Sequence, residues 1–83
     1  MNKNYHVSVK KMAQQPLWCS EAISEISVFG ECLYSYNENC FIINAQALKA
    51  FVDYNYDSNI KKIDRLELSN YIINNASVEK IKY

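Results

Sequence analysis

One glycine (Gly30) and one proline (Pro16) are all the backbone punctuation that 83 residues contain. Such a chain cannot reverse direction through glycine-rich loops. Its turns must be made by Asn, Asp and Ser, whose short side chains hydrogen-bond the local backbone. The same scarcity excludes a phosphate-cradling glycine loop. Apolar residues make up 49% of the chain, which fits a folded body and not a disordered one. A chain of this length hides only about 60% of its unfolded surface, so it supports one small core. Residues 1–83 therefore read as a single domain.

Hydrophobic period divides that domain into elements. Tyr5 to Lys10 alternates apolar and polar residues, the pattern of a half-buried strand. Pro16 suits the first turn of a helix, and Trp18, Cys19, Ala22, Ile23 and Ile26 then share one helical face, with three- and four-residue spacings such as Trp18 to Ala22, Ala22 to Ile26 and Ile23 to Ile26. Gly30 marks a bulge or turn. Glu31–Tyr36 and Cys40–Asn44 are rich in aromatic and branched residues, and Asn37, Glu38 and Asn39 between them predict a hairpin with a three-residue loop. Asn44 is a good N-cap for a helix from Ala45 to about Tyr54, with Ala47, Leu48, Phe51, Val52 and Tyr54 inward. A second helix is expected over Ser58–Asn74, capped by Asp57, with Ile60, Ile63, Leu66, Leu68, Tyr71 and Ile72 on a broad core face. Ser77–Tyr83 fits a last strand. The order predicts an α+β fold, a mainly antiparallel sheet with about three helices.

Nine basic and nine acidic residues cancel. Nucleic-acid binders usually carry a basic excess, so no direct nucleic-acid partner is expected. No apolar run approaches the roughly 20 residues that span a bilayer, and the first residues lack the apolar stretch of a signal peptide. A cytoplasmic protein without membrane partners follows as the expectation. In that compartment the three cysteines, Cys19, Cys32 and Cys40, read as free thiols packed like small hydrophobes. Together with His6 they number four possible zinc ligands, but no two cysteines have the close spacing of a zinc knuckle. No metal or other cofactor is expected. A Cys–His nucleophilic pair lacks a residue that would orient it. Seven tyrosines and one tryptophan favour a protein-binding module over an enzyme.

Asp53–Asp64 offers a different function. Asp53, Asn55, Asp57 and the Asn59 carbonyl fall at positions 1, 3, 5 and 7 of an EF-hand loop, Ile60 at the apolar position 8 and Asp64 at the closing position. Ser58 stands where glycine makes the sharp turn, Lys61 puts a cation beside the site, and Asp64 is shorter than the usual Glu. The segment also resembles one half of a dockerin, with Leu68, Tyr71 and Ile72 on the following helix. Dockerins carry two such loops and this chain has one. The alternatives are a calcium-binding interaction module and an Asx-rich turn between helices.

A second resemblance runs the length of the chain. Met1, Asn2, Lys3 and Tyr5, then Cys19, then Ala22, Ile23, Ser24 and Glu25 stand at the offsets of the broad-spectrum type II-C anti-CRISPR family. Cys40, Asp57, Ser58, Lys61, Leu66, Glu67 and Tyr71 find counterparts with small gaps, and Ala76–Ser77 is similar to the family's Ala-Ser-Cys segment. The resemblance implies a phage- or prophage-encoded inhibitor, acting in the cytoplasm of a bacterial host. Its partner would be the HNH domain of a CRISPR effector nuclease, bound at the active site. DNA binding survives such inhibition while cleavage is blocked, because the two steps are separable. The resemblance further implies that Ser77 and the next residue contact the nuclease centre. Val78 stands where the family has cysteine, and valine offers no thiol hydrogen bond.

Overall fold

A computed structural model describes residues 3–18 and 20–80, with backbone alone for 78–80. The chain runs β1 (Lys3–Ser8), α1 (Val9–Ala13), α2 (Ser20–Phe29), β2 (Cys32–Ser35), β3 (Cys40–Asn44), α3 (Ala45–Asp53), α4 (Lys62–Asn75) and β4 (Ser77–Lys80). The four strands form one antiparallel sheet in the order β2-β3-β1-β4. The α+β class is as expected, with four helices in place of about three. The additional helix, α1, takes over where the first strand was expected to continue. Ser8 ends β1 because its Oγ accepts the Lys11 N–H at 3.1 Å, capping a single helical turn.

The other element boundaries follow from similar local bonds. Pro16 lies in the turn before α2 and not in its first turn. There Gln15 holds the Leu17 N–H through its side chain and the Trp18 N–H through its carbonyl. Gly30 forms the bend from α2 to β2. A Cβ there would stand 2.8 Å from the Ala47 Cβ, so the close approach of α2 and α3 depends on glycine. The hairpin turn spans four residues, 36–39, and Asn39 takes φ 51°, a left-handed conformation that Asn tolerates. Asn44 caps α3 as its sequence predicts, accepting the Ala47 N–H at 3.0 Å.

The expected start of the last helix is corrected. α4 begins at Lys62, and its N-cap is Lys61 with no side-chain cap bond. Asp57 is exposed and caps nothing. Ser58 explains the delay. Its Oγ accepts the Ile60 N–H, and its single proton is shared between the Ile60 carbonyl and the Glu25 carboxylate, so this stretch folds as an anchored loop before the helix can wind. The core face of α4 is also narrower than expected. Leu68 and Ile72 are buried, while Ile63 and Leu66 are exposed.

Val7, Met12, Ala22, Ile26, Ile43, Ala47, Leu48, Phe51, Val52, Leu68 and Ile72 make one core, with Tyr5, Cys32 and Phe41 packed against it. Strand residues alternate between faces. The strand residues of this core, Tyr5, Val7, Cys32, Phe41 and Ile43, all lie on one face by register. Among the described residues no helix is long and apolar enough to cross a membrane.

Candidate functional site

Among the described residues, the sheet's second face contributes no apolar side chain to that core. Register sets Leu33 opposite Ile42, Ile42 opposite His6, and His6 opposite Ser77. These four residues form one row across all four strands, roughly 14 Å from end to end at the usual strand spacing. Leu33 is 52% exposed at one end and Ser77 is exposed at the other. The row is therefore apolar on the hairpin side and hydroxylic on the β4 side.

Ser77 opens β4. Its Oγ lies 3.5 Å from the His6 carbonyl, a long and weak bond that leaves the hydroxyl able to reach an outside partner. The backbone of Val78 pairs with Tyr5; its side chain lies outside the described residues. The two residues assigned to partner contact thus sit at a sheet edge.

The four-ligand group imagined from His6 and the cysteines is not brought together. Cys32 faces the core, whereas His6 and Cys40 lie on the second face; Cys19 lies outside the described residues. A different trio does meet. The Cys40 Sγ is 4.0 Å from His6 Nδ1 and 3.7 Å from Glu38 Oε2, and His6 Nδ1 is 3.6 Å from that same oxygen. Burial, and then the charge and hydrogen bond of Glu38, push the Cys40 thiol above its ordinary pKa. Burial likewise raises Cys32, against a lowering bond from Ser27. Neither is the low-pKa thiol of an activated nucleophile. Glu38 was legible only as a turn residue, since nothing in its spacing from His6 reveals that β1 and β3 pair.

Aromatic side chains form a ladder out of the hairpin. Trp18 meets Phe41 at 5.1 Å between ring centroids, Phe41 meets Tyr34 at 5.7 Å, and Tyr34 meets Tyr36 at 4.8 Å. The ladder ends on Tyr36, which is 86% exposed. A rigid aromatic ladder that finishes in solvent suits a protein interface.

The Asp53–Asp64 segment is organised by protein groups. Arg65, buried, donates from Nε to the Phe51 carbonyl at 2.8 Å and from Nη1 to the Ile60 carbonyl, and its guanidinium lies 5.1 Å over the Tyr56 ring. Glu25 of α2 accepts from Tyr56 Oη and Ser58 Oγ. Asp53, Asn55, Asp57 and Asn59 are exposed, and the carboxylates of Asp53, Asp57 and Asp64 do not converge. Among the described residues, the group of three or more His, Cys, Asp or Glu donors within 4.8 Å of one another is His6, Glu38 and Cys40. Arg65 did carry a sequence signal. It stands three and seven residues before Leu68 and Ile72, on the buried stripe of α4.

Comparisons of the chain with protein-family models, with curated proteins and with solved structures find no match.

Proposed function

We propose that this chain is a non-catalytic protein-binding module, and specifically an anti-CRISPR inhibitor that covers the HNH active site of a type II-C effector nuclease. The observation that carries the binding reading is the Leu33–Ile42–His6–Ser77 row. It offers an apolar anchor and a weakly held hydroxyl on one sheet face outside the core. An interface needs both, a desolvated apolar contact and polar groups that fix orientation. The exposed end of the aromatic ladder adds a second anchor. The nuclease target rests on the resemblance at Ala76–Ser77 and along the chain. In this reading Ser77 faces the catalytic residues of the HNH domain, and Val78 replaces a thiol contact with packing.

The test is a cleavage assay with a type II-C effector, guide RNA and target DNA. Added protein should co-elute with the effector and protect the target from cutting, while the effector still binds its target. A protein that neither co-elutes nor protects is not such an inhibitor.

A further inference from the structure

We propose that His6, Glu38 and Cys40 form a binding site for one zinc ion, with Nδ1, a carboxylate oxygen and a thiolate as ligands. This goes beyond the inhibitor reading and does not depend on it. The geometry comes from the register of the sheet. Ser8 pairs with Cys40 and His6 with Ile42, so His6 and Cys40 are diagonal neighbours on the second face. The hairpin turn, with Asn39 left-handed, returns Glu38 over the same spot. The donor atoms form a triangle with sides of 3.6, 3.7 and 4.0 Å.

Ligands around tetrahedral zinc, with bonds of about 2.0 Å to nitrogen, 2.1 Å to oxygen and 2.3 Å to sulfur, stand roughly 3.4–3.6 Å apart. The observed triangle is wider by no more than about half an ångström on any side; the largest excess is between Cys40 Sγ and His6 Nδ1, which a small turn of those two side chains closes, and the turn carboxylate needs less. Charge agrees with geometry. A neutral imidazole, one carboxylate and one thiolate together balance a divalent cation. Binding releases the Cys40 thiol proton to solvent and involves no redox step. The Glu38 side chain is 59% exposed and gives the ion a way in. Three protein ligands leave the fourth position to water, as in open zinc sites. Imidazole, carboxylate and thiolate together suit zinc better than calcium or magnesium, which take oxygen donors.

The experiment uses the full chain, reduced and stripped with chelator, titrated with cobalt(II) as an optical stand-in. One equivalent should produce a thiolate-to-cobalt charge-transfer band and the strong visible bands of tetrahedral cobalt, and zinc should bleach both. Cys40→Ser should abolish the charge-transfer band. Glu38→Gln, in an exposed turn, should weaken binding at least about tenfold, the lower end of what even outer-shell changes cost. Cys32→Ser, on the opposite face, should leave both unchanged. The site is refuted by the absence of a cobalt band, by a band that survives Cys40→Ser, or by full affinity in Glu38→Gln. If Cys40→Ser fails to fold by circular dichroism, the Glu38→Gln affinity decides alone.

Discussion

Arg65 donates its Nε–H to the carbonyl of Phe51, 14 residues earlier, and this 2.8 Å bond closes the connection between α3 and α4 from inside. The same guanidinium takes the Ile60 carbonyl and lies over Tyr56. Removing it takes the side-chain donor from the Phe51 carbonyl and one of two donors from the Ile60 carbonyl, which also accepts from Ser58 Oγ, in a place that water reaches poorly. Arg65→Ala should therefore destabilise the fold by about 2–4 kcal/mol, at the cost of roughly 1–3 kcal/mol per unsatisfied group. Arg65→Lys should rescue little, because an ammonium lacks the planar fork that serves both carbonyls. Urea unfolding checks both, read as a lower midpoint at an unchanged slope.

Asn44 does two jobs at the junction of β3 and α3. Its side chain accepts the Ala47 N–H, and its own N–H goes to the Glu31 carbonyl. Asn44→Ala removes only the first and should lower stability by about 1 kcal/mol, while Asn44→Asp should keep most of it. Nearby, Gly30→Ala should cost about 1–3 kcal/mol, since the new methyl meets Ala47 at 2.8 Å. Thermal unfolding of the three variants separates a lost cap from an overpacked contact.

Tyr56 gives the fold an alkaline limit. Burial first, and then its bond to the Glu25 carboxylate, raise the phenol above its ordinary pKa. The sign follows from proton linkage. Between the unfolded value near 10 and the raised folded value, the folded state holds the proton that the unfolded state has lost. Tyr56 thus contributes its full stabilisation below about pH 10, and that contribution falls as pH climbs through the window above. Tyr56→Phe should flatten this part of the fall in stability, seen in urea midpoints across an alkaline series. An equal fall in wild type and variant would remove Tyr56 from the cause.

Elements with a local physical cause were legible in the sequence. The Asn44 cap and the four-residue spacing of Ala22 and Ile26 need only near neighbours, and they are found where expected; the alternation from Tyr5 holds as strand as far as Ser8, where the α1 cap ends it. What sequence spacing does not carry is who meets whom across the sheet. His6 and Cys40 are 34 residues apart, and only the β1–β3 register makes them neighbours. The Asp57 cap failed for a similar reason. Ser58 has a long-range partner in Glu25, 33 residues away, and that bond overrides the local preference for starting the helix early.

Two exposed residues allow the proposed binding to be tested apart from folding. Tyr36 is 86% exposed at the end of the aromatic ladder, and Ser77 is exposed at the start of β4. Ser77→Ala removes a hydroxyl whose internal bond is already long, so stability should change by less than about 0.5 kcal/mol. Under the proposed inhibitor function, Ser77→Ala should weaken inhibition of target cleavage by up to about tenfold, the loss of one good interfacial hydrogen bond. Tyr36→Ala should likewise leave unfolding unchanged and raise the concentration needed for inhibition. Dose–response curves beside unfolding curves check both. Unchanged inhibition in Ser77→Ala takes that residue out of the interface.

The Asp53–Asp64 segment should prove indifferent to calcium. Its spacing resembles an EF-hand loop, but the carboxylates of Asp53, Asp57 and Asp64 are not gathered into one group, and the loop is held by Arg65 and Glu25. A calcium site gathers six to eight oxygens around one ion, and any ion that bound the folded state would raise its stability by mass action. Millimolar calcium should therefore leave the melting temperature unchanged and give no saturable heat. Asp57→Ala, at an exposed position that caps nothing, should cost no more than about 0.5 kcal/mol, whereas Ser58→Ala should cost more because Ser58 ties Ile60 to Glu25. A single-site calcium isotherm that disappears in Asp53→Ala would overturn the scaffold role of this loop.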